Sequence, residues 1–136
     1  MKKLQFRVLY REFLFRTMLA REALGADVAQ VWSSVSRDTF EVRWRDPPSD
    51  VIPPGTQIDF ADFPGLPEAM ERLEALFVAD AQENVKGLAL QHAKAVGVRS
   101  SLRVPIVIDG VATRVLTLQW HRVVAVPQAA TMVLAR

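Results

Sequence analysis

Residues 97–120 read GVRSSLRVPIVIDGVATRVLTLQW, two apolar segments joined by Asp109-Gly110. A tight type I′ turn needs positive φ at both central residues, and Asp-Gly tolerates that cheaply, so the stretch predicts a β-hairpin. With Asp109 and Gly110 as the turn, Ile108 falls opposite Val111, Ile106 opposite Thr113, Val104 opposite Val115 and Leu102 opposite Thr117. One face then carries Leu102, Val104, Ile106, Ile108, Val111 and Val115, the other Pro105, Val107, Ala112, Leu116, Leu118 and Trp120. Both faces are largely apolar, which predicts a central hairpin in a sheet covered on both sides.

Outward from the hairpin, the chain alternates between strand and helix signals. Leu4 to Leu24 suits a helix, free of Gly and Pro until Gly25, which is placed to end it. Apolar side chains surround most of that helix, with arginines in the gaps, so more than one partner is needed to cover it. A core helix with solvated arginines, a dimerisation element and a peripheral membrane helix are all compatible with that pattern. Val28–Val35 and Thr39–Arg45 predict a second strand pair turning at Ser36-Arg37-Asp38, with Trp32, Phe40, Val42 and Trp44 as strand-favouring residues. Pro47, Pro48, Pro53 and Pro54 make Asp46–Gly55 a loop. A short extended piece, Thr56–Phe60, precedes Asp62, placed to cap a helix through Pro67–Glu74. Leu76–Ala79 predicts a strand, Gln82–Ala95 a helix ended by Gly97, and Pro127–Arg136 the beginning of another helix. Strands joined mainly by hairpins, with helices between and at the ends, predict an antiparallel α+β domain of five to six strands with helices on both faces.

Composition narrows the function classes. With 136 residues, half of them apolar, the chain suits one domain with a real core. It has no cysteine, which removes thiolate metal sites and cysteine nucleophiles and fits a reducing, cytoplasmic setting. No apolar run reaches membrane-spanning length and no signal-peptide cleavage pattern follows the amino terminus. The net charge of +2 is uneven: residues 1–23 hold six basic against two acidic side chains, and the remainder eleven against thirteen. A chain-wide basic patch, a recognition helix and a zinc-finger pattern are all missing, so nucleic acid is not an expected partner.

Leu24-Gly25-Ala26-Asp27 ahead of the strand ending near Trp32, and Ala95-Val96-Gly97-Val98-Arg99-Ser100-Ser101-Leu102 with Val104-Pro105-Ile106 and Asp109-Gly110, resemble the GAF domain family. The resemblance covers residues 20–136. It implies an antiparallel sheet with dimer-forming helices on one face and a small-molecule pocket roofed by loops and short helices on the other. Residues 1–25 become a dimerisation helix, 26–126 the sheet and pocket, and 127–136 the start of a last helix. Such domains sense cyclic nucleotides, bilins or other small ligands and control attached kinases, cyclases or transcription activators. No such effector fits in 136 residues, so the chain is expected to signal through a partner or as part of a longer protein.

Several family chemistries do not carry over. Leu88 stands where phytochrome-type members often carry the bilin-attaching cysteine, which excludes covalent bilin there. Methionine sulfoxide reductases of this type need reactive cysteines, the asparagine-lysine motif of cyclic-nucleotide binders is not recognisable, and Arg114 replaces a usual glycine. His92 and His121 are the only histidines, and neither has metal-ligand spacing with carboxylates. Glu68, Glu71 and Arg72 at helical spacing wet an exposed face, and Glu71 and Glu74 lack an enclosure that would split their pKa values for acid-base work; Asp80 joins this acidic group. No catalytic residue and no metal site is predicted. Trp32, Phe60, Phe63, Met70, Phe77 and Leu88 line an apolar pocket or form core, and His92 is a ligand contact or an ordinary boundary histidine. By resemblance, the polar ligand candidates are Ser101, Arg103, Thr117 and Gln119. A regular hairpin would put the first two on the opposite face from the last two, so all four share one pocket only with a bulge. Two readings follow: a sensor of an anionic or aromatic small molecule, homodimeric through its first helix, or a pocketless interaction domain.

Overall fold

Asp109 and Gly110 both adopt positive φ, 53° and 77°, and Ile108 pairs with Val111 across them, as a two-residue I′ turn requires. The computed structural model describes residues 17–19 and 21–126. The predicted helices at 1–25 and 127–136 therefore lie largely or wholly outside the described residues. Residues 17–19 and 21–23 are helical, and Gly25 takes φ 62° where the helix ends, its N–H bonding to the Glu22 carbonyl at 3.1 Å.

Six strands form one antiparallel sheet in the order β3-β2-β1-β6-β5-β4. They are β1 (Val28–Ser34), β2 (Thr39–Asp46), β3 (Gln57–Asp59), β4 (Leu76–Val78), β5 (Ser100–Ile108) and β6 (Val111–Trp120). The predicted hairpins β1–β2 and β5–β6 are both present, and β6 lies beside β1 at the centre. The helices α1 (Gly65–Arg72), α2 (Ala81–Asn84) and α3 (Gly87–Val96) follow a 3-10 turn at Phe60–Asp62.

Two bulges set which side chains share a face. In β6, Ala112 pairs with Val107 but Arg114 pairs with Ile106, leaving Thr113 as the extra residue. Beyond it, Val104 meets Leu116, Leu102 meets Leu118 and Arg103 meets Thr117, so the regular register expected from the turn fails by one residue. In β2, Trp44 pairs with Val31 but Val42 pairs with Trp32, leaving Arg43 extra. A one-residue slip exchanges faces. Leu102, Val104, Leu116, Leu118 and Trp120 consequently join Ala29 and Val31 in a dry core on one face. Trp32, Phe40, Val42 and Val115 face the other way and pack with Ile52 and Leu66.

Two helix predictions need correction. Asp62 ends the 3-10 turn instead of capping a helix; α1 starts at Gly65 after Pro64 with no side-chain cap and stops at Arg72, where Leu73 takes φ 56°. Its Leu66, Ala69 and Met70 are spaced to meet the sheet, and Glu68 and Arg72 pair at 3.1 Å on the wet side. The helix read as Gln82–Ala95 is two pieces, because Val85 and Lys86 are extended between α2 and α3. Gly97 ends the second with φ 74°, as expected.

Phe40 is fully buried and stacks on Phe60 with ring centroids 4.3 Å apart. Phe40→Ala should cost about 3–5 kcal/mol in urea unfolding, whereas Val111→Thr at the exposed hairpin tip should change stability by less than about 0.5 kcal/mol.

Candidate functional site

The bulge at Thr113 brings the four polar hairpin residues to one face, and the bulge at Arg43 brings Arg45 with them. Arg45 pairs with Gln30, Gln30 with Thr117, and Thr117 with Arg103. These residues form a polar row crossing four strands, with a guanidinium at each end. The neighbouring row adds Ser101 opposite Gln119.

Over these rows lie α1, the extended piece at Val85-Lys86, and α3, whose Ala89 and Ala93 are spaced i, i+4 and buried against the sheet side. A cavity of about 40 Å³ remains, walled by Gln30, Ser101, Arg103, Thr117 and Gln119 from the sheet and by Phe63 and His92 from above. Trp32 and Leu66 complete its apolar side. No Asp or Glu lines it.

The polar atoms here are short of partners. Gln30 Oε1 accepts the Trp32 indole N–H at 3.1 Å, which fixes the amide and leaves Gln30 Nε2 as a free donor. Ser101 Oγ, Thr117 Oγ1 and Gln119 Oε1 have no hydrogen-bond partner among the described residues, and neither do Arg45 Nε and Nη1. Gln30, Ser101 and Thr117 are between 0% and 2% exposed, so bulk water does not reach them. Each such atom costs about 1–3 kcal/mol, and buried polar groups are otherwise satisfied almost without exception.

Burial pulls the Arg103 guanidinium below the ordinary arginine range, opposed by the carboxylate of Glu68. Burial also lowers Arg45. Both remain cationic at neutral pH, since arginine does not deprotonate in proteins. Gly65 lets Arg103 lie where it does: a Cβ there would stand 2.7 Å from the guanidinium carbon. His92 packs edge-on against Phe63, with ring centroids 5.4 Å apart. Burial, then the charge of Arg45, holds its pKa below the usual histidine value, so the ring over the cavity is neutral at pH 7.

Of the residues picked out from the sequence, Phe63, His92, Ser101, Arg103, Thr117 and Gln119 come together here. Phe60 and Met70 do not; they pack against the core around Phe40 and Leu66. Leu88 is half exposed on the outer side of α3 and lines a groove beyond the cavity. Phe77 packs towards Trp120 on the dry face. Gln30 and Arg45 went unpicked, because each reads as an ordinary polar strand residue until the Arg43 bulge is known. Asp80 is occupied structurally: it caps α2 through Gln82 N–H at 3.1 Å and takes two bonds from Arg99, at 3.0 and 2.6 Å. Among the described residues no cluster of His, Cys, Asp and Glu is arranged to hold a metal, and no helix is long and apolar enough to cross a membrane.

A six-stranded antiparallel sheet with this strand order, helices roofing one face and a cavity beneath them matches solved GAF domains. The fold is GAF-like. The GAF domain of a two-component sensor histidine kinase from Bacillus halodurans superposes with a TM-score of 0.69 at 15% identity, over 90% of this chain and 87% of that one. The GAF domain of an Acinetobacter phosphoenolpyruvate-protein phosphotransferase gives 0.67 at 15% identity, over 88% and 70%. A Staphylococcus aureus NreA protein mutated in its nitrate binding site gives 0.66 at 13% identity, over 89% and 93%. No protein-family model and no curated protein matches the sequence.

The neutral His92 makes stability depend on pH. With its folded pKa below 6.5, the unfolded chain takes up this proton first as the solution is acidified. Stability is therefore full above about pH 6.5 and falls as pH drops through that value towards the folded pKa. Thermal unfolding between pH 8 and 5 should show this fall, and His92→Gln should flatten it over the same window.

Proposed function

We propose that this domain is a sensory module that binds a small anion-bearing molecule in the cavity between the sheet and α1 and α3. The observation that carries this reading is the concentration of unpartnered polar atoms around one part-buried cation, Arg103. Gln30 Nε2, the Ser101 and Thr117 hydroxyls and the Arg103 guanidinium are all able to donate, and no carboxylate lines the cavity. Four donors converging on one small space suit a group rich in acceptors, above all an anion, whose charge-assisted bonds are the strong ones. The volume of about 40 Å³ suits a group of a few heavy atoms and is far too small for a tetrapyrrole. The nitrate binding site named for the S. aureus NreA protein supports the reading by analogy of fold.

No residue here is arranged for catalysis, and the output is conformational. A ligand bridging Arg103 on the sheet to His92 on α3 ties the roof to the sheet, and a partner or attached effector reads the change. Residues 1–25, which the sequence predicts as a helix, join two copies into a homodimer that carries the signal. A second reading, a domain that only mediates association and binds no ligand, is favoured by the small size of the cavity.

Thermal melting of the full chain in graded nitrate and acetate separates the two. Bound anion should raise the midpoint in proportion to occupancy, and Arg103→Gln should reduce affinity about 10- to 100-fold, the worth of a charged hydrogen bond. Thr117→Val should raise the midpoint without ligand, because it removes an unpaired buried hydroxyl, and should lower the response to anion; stability gained as function is lost marks a site kept for binding. No response to either anion would leave the association reading. Light scattering at micromolar concentration should give the mass of a dimer, and a monomer would count against the proposed route of signalling.

A further inference from the structure

A second space lies behind the first. An open groove of about 820 Å³ runs between α1 and the Val85–Leu88 segment, and Phe63, Val85, Ala89 and Arg103 line both it and the inner cavity. These four residues are therefore the wall that separates the two. The groove beyond them takes apolar groups from Pro64, Val78 and Leu88, while Asp62, Glu68, Lys86 and Arg103 provide its charged groups.

The two spaces differ in what they accept. The inner one is small, donor-rich and free of negative charge; the outer one is twenty times larger by these volumes. With Arg103 engaged by the head group, Asp62 and Glu68 against Lys86 alone make a second anionic end unwelcome there. Arg103 stands at the joint, its guanidinium lying over Gly65 with no hydrogen-bond partner among the described residues, and a planar fork of donors at that point matches a carboxylate. Leu88, exposed and apolar on α3, finds a use here that the inner cavity does not give it.

Building on the anion-binding reading, we infer that the ligand is a monocarboxylate with an apolar tail, its head on Arg103, Gln30 and Thr117 in the inner cavity and its tail along the outer groove past Val85 and Leu88. A free inorganic oxyanion would use only the head site. A longer dianion would meet Asp62 and Glu68.

Calorimetric titration of the 136-residue chain with acetate, butanoate, hexanoate and octanoate tests this. Affinity should rise about fourfold for each methylene that reaches the groove. Leu88→Glu, a change at an exposed position, should lower the ratio of octanoate to acetate affinity at least tenfold. Gly65→Ala, which displaces the Arg103 guanidinium, should weaken the whole series. A series in which acetate and octanoate bind equally overturns the tail assignment and leaves the anion cavity standing, and a rising series indifferent to Leu88→Glu overturns the groove as the place of the tail. Absence of binding by any member overturns both readings.

Discussion

Polar side chains left without partners on one face of a sheet are the constraint on which the rest of this structure turns. Arg45, Gln30, Thr117 and Arg103 stand side by side across four strands, and of their neighbours on that face, Trp32, Val115 and Val42, only Trp32 offers a bond, its indole N–H to Gln30 Oε1. A face built only to hold elements together would place leucine or valine there, as the opposite face does with Leu102, Val104, Leu116 and Leu118. The two faces share the same strands and the same backbone pairing. They differ only in which side chains point each way, and the bulges at Arg43 and Thr113 decide that. Each bulge costs one residue of regular pairing and in exchange gathers the polar groups to one side.

The roof answers the same constraint. Gly65, Ala89 and Ala93 are small where α1 and α3 come nearest the polar row, and His92 is held neutral above it. Larger residues at those points would fill the cavity and bury the donors against hydrocarbon. The ion pair of Asp80 with Arg99 and the cap that Asp80 makes on α2 lie at the edge of this region, and the Ser100 hydroxyl links the Ala79 carbonyl at 2.7 Å to the Val124 N–H at 2.9 Å. Those polar groups are fully employed. The employed groups at the rim contrast with the idle ones at the centre, where the candidate site lies.

Much of this architecture was legible in the sequence, and the reasons are local. Asp109-Gly110 marks a turn by backbone preference alone, Gly97 and Gly25 end helices for the same reason, and the prolines of 47–54 exclude pairing. The register was not legible, because a bulge at Thr113 leaves no mark on composition: Thr113 is as good a strand residue as its neighbours, and only the gain from burying Leu116, Leu118 and Trp120 with Leu102 selects it. The same holds for Arg43. The break at Val85-Lys86 was missed because both residues tolerate a helix; tertiary packing, not propensity, opens the chain there.

The site was legible as a list of residues and not as an arrangement. Ser101, Arg103, Thr117 and Gln119 could be named, yet the periodicity of a regular hairpin divided them between faces, and the need for a bulge was the only hint that they meet. Gln30 and Arg45 show the limit more sharply. A glutamine and an arginine in strands rich in tryptophan and valine look like the wet half of an alternating pattern, and nothing short of the pairing tells that Gln30 is fully buried beside Thr117. Their burial is expensive, and a chain that could have avoided it by a valine at either position has not done so. Stability cannot account for that choice. The cost falls on the face of the candidate site, where the unpartnered polar atoms of Gln30, Ser101, Thr117 and Gln119 stand together.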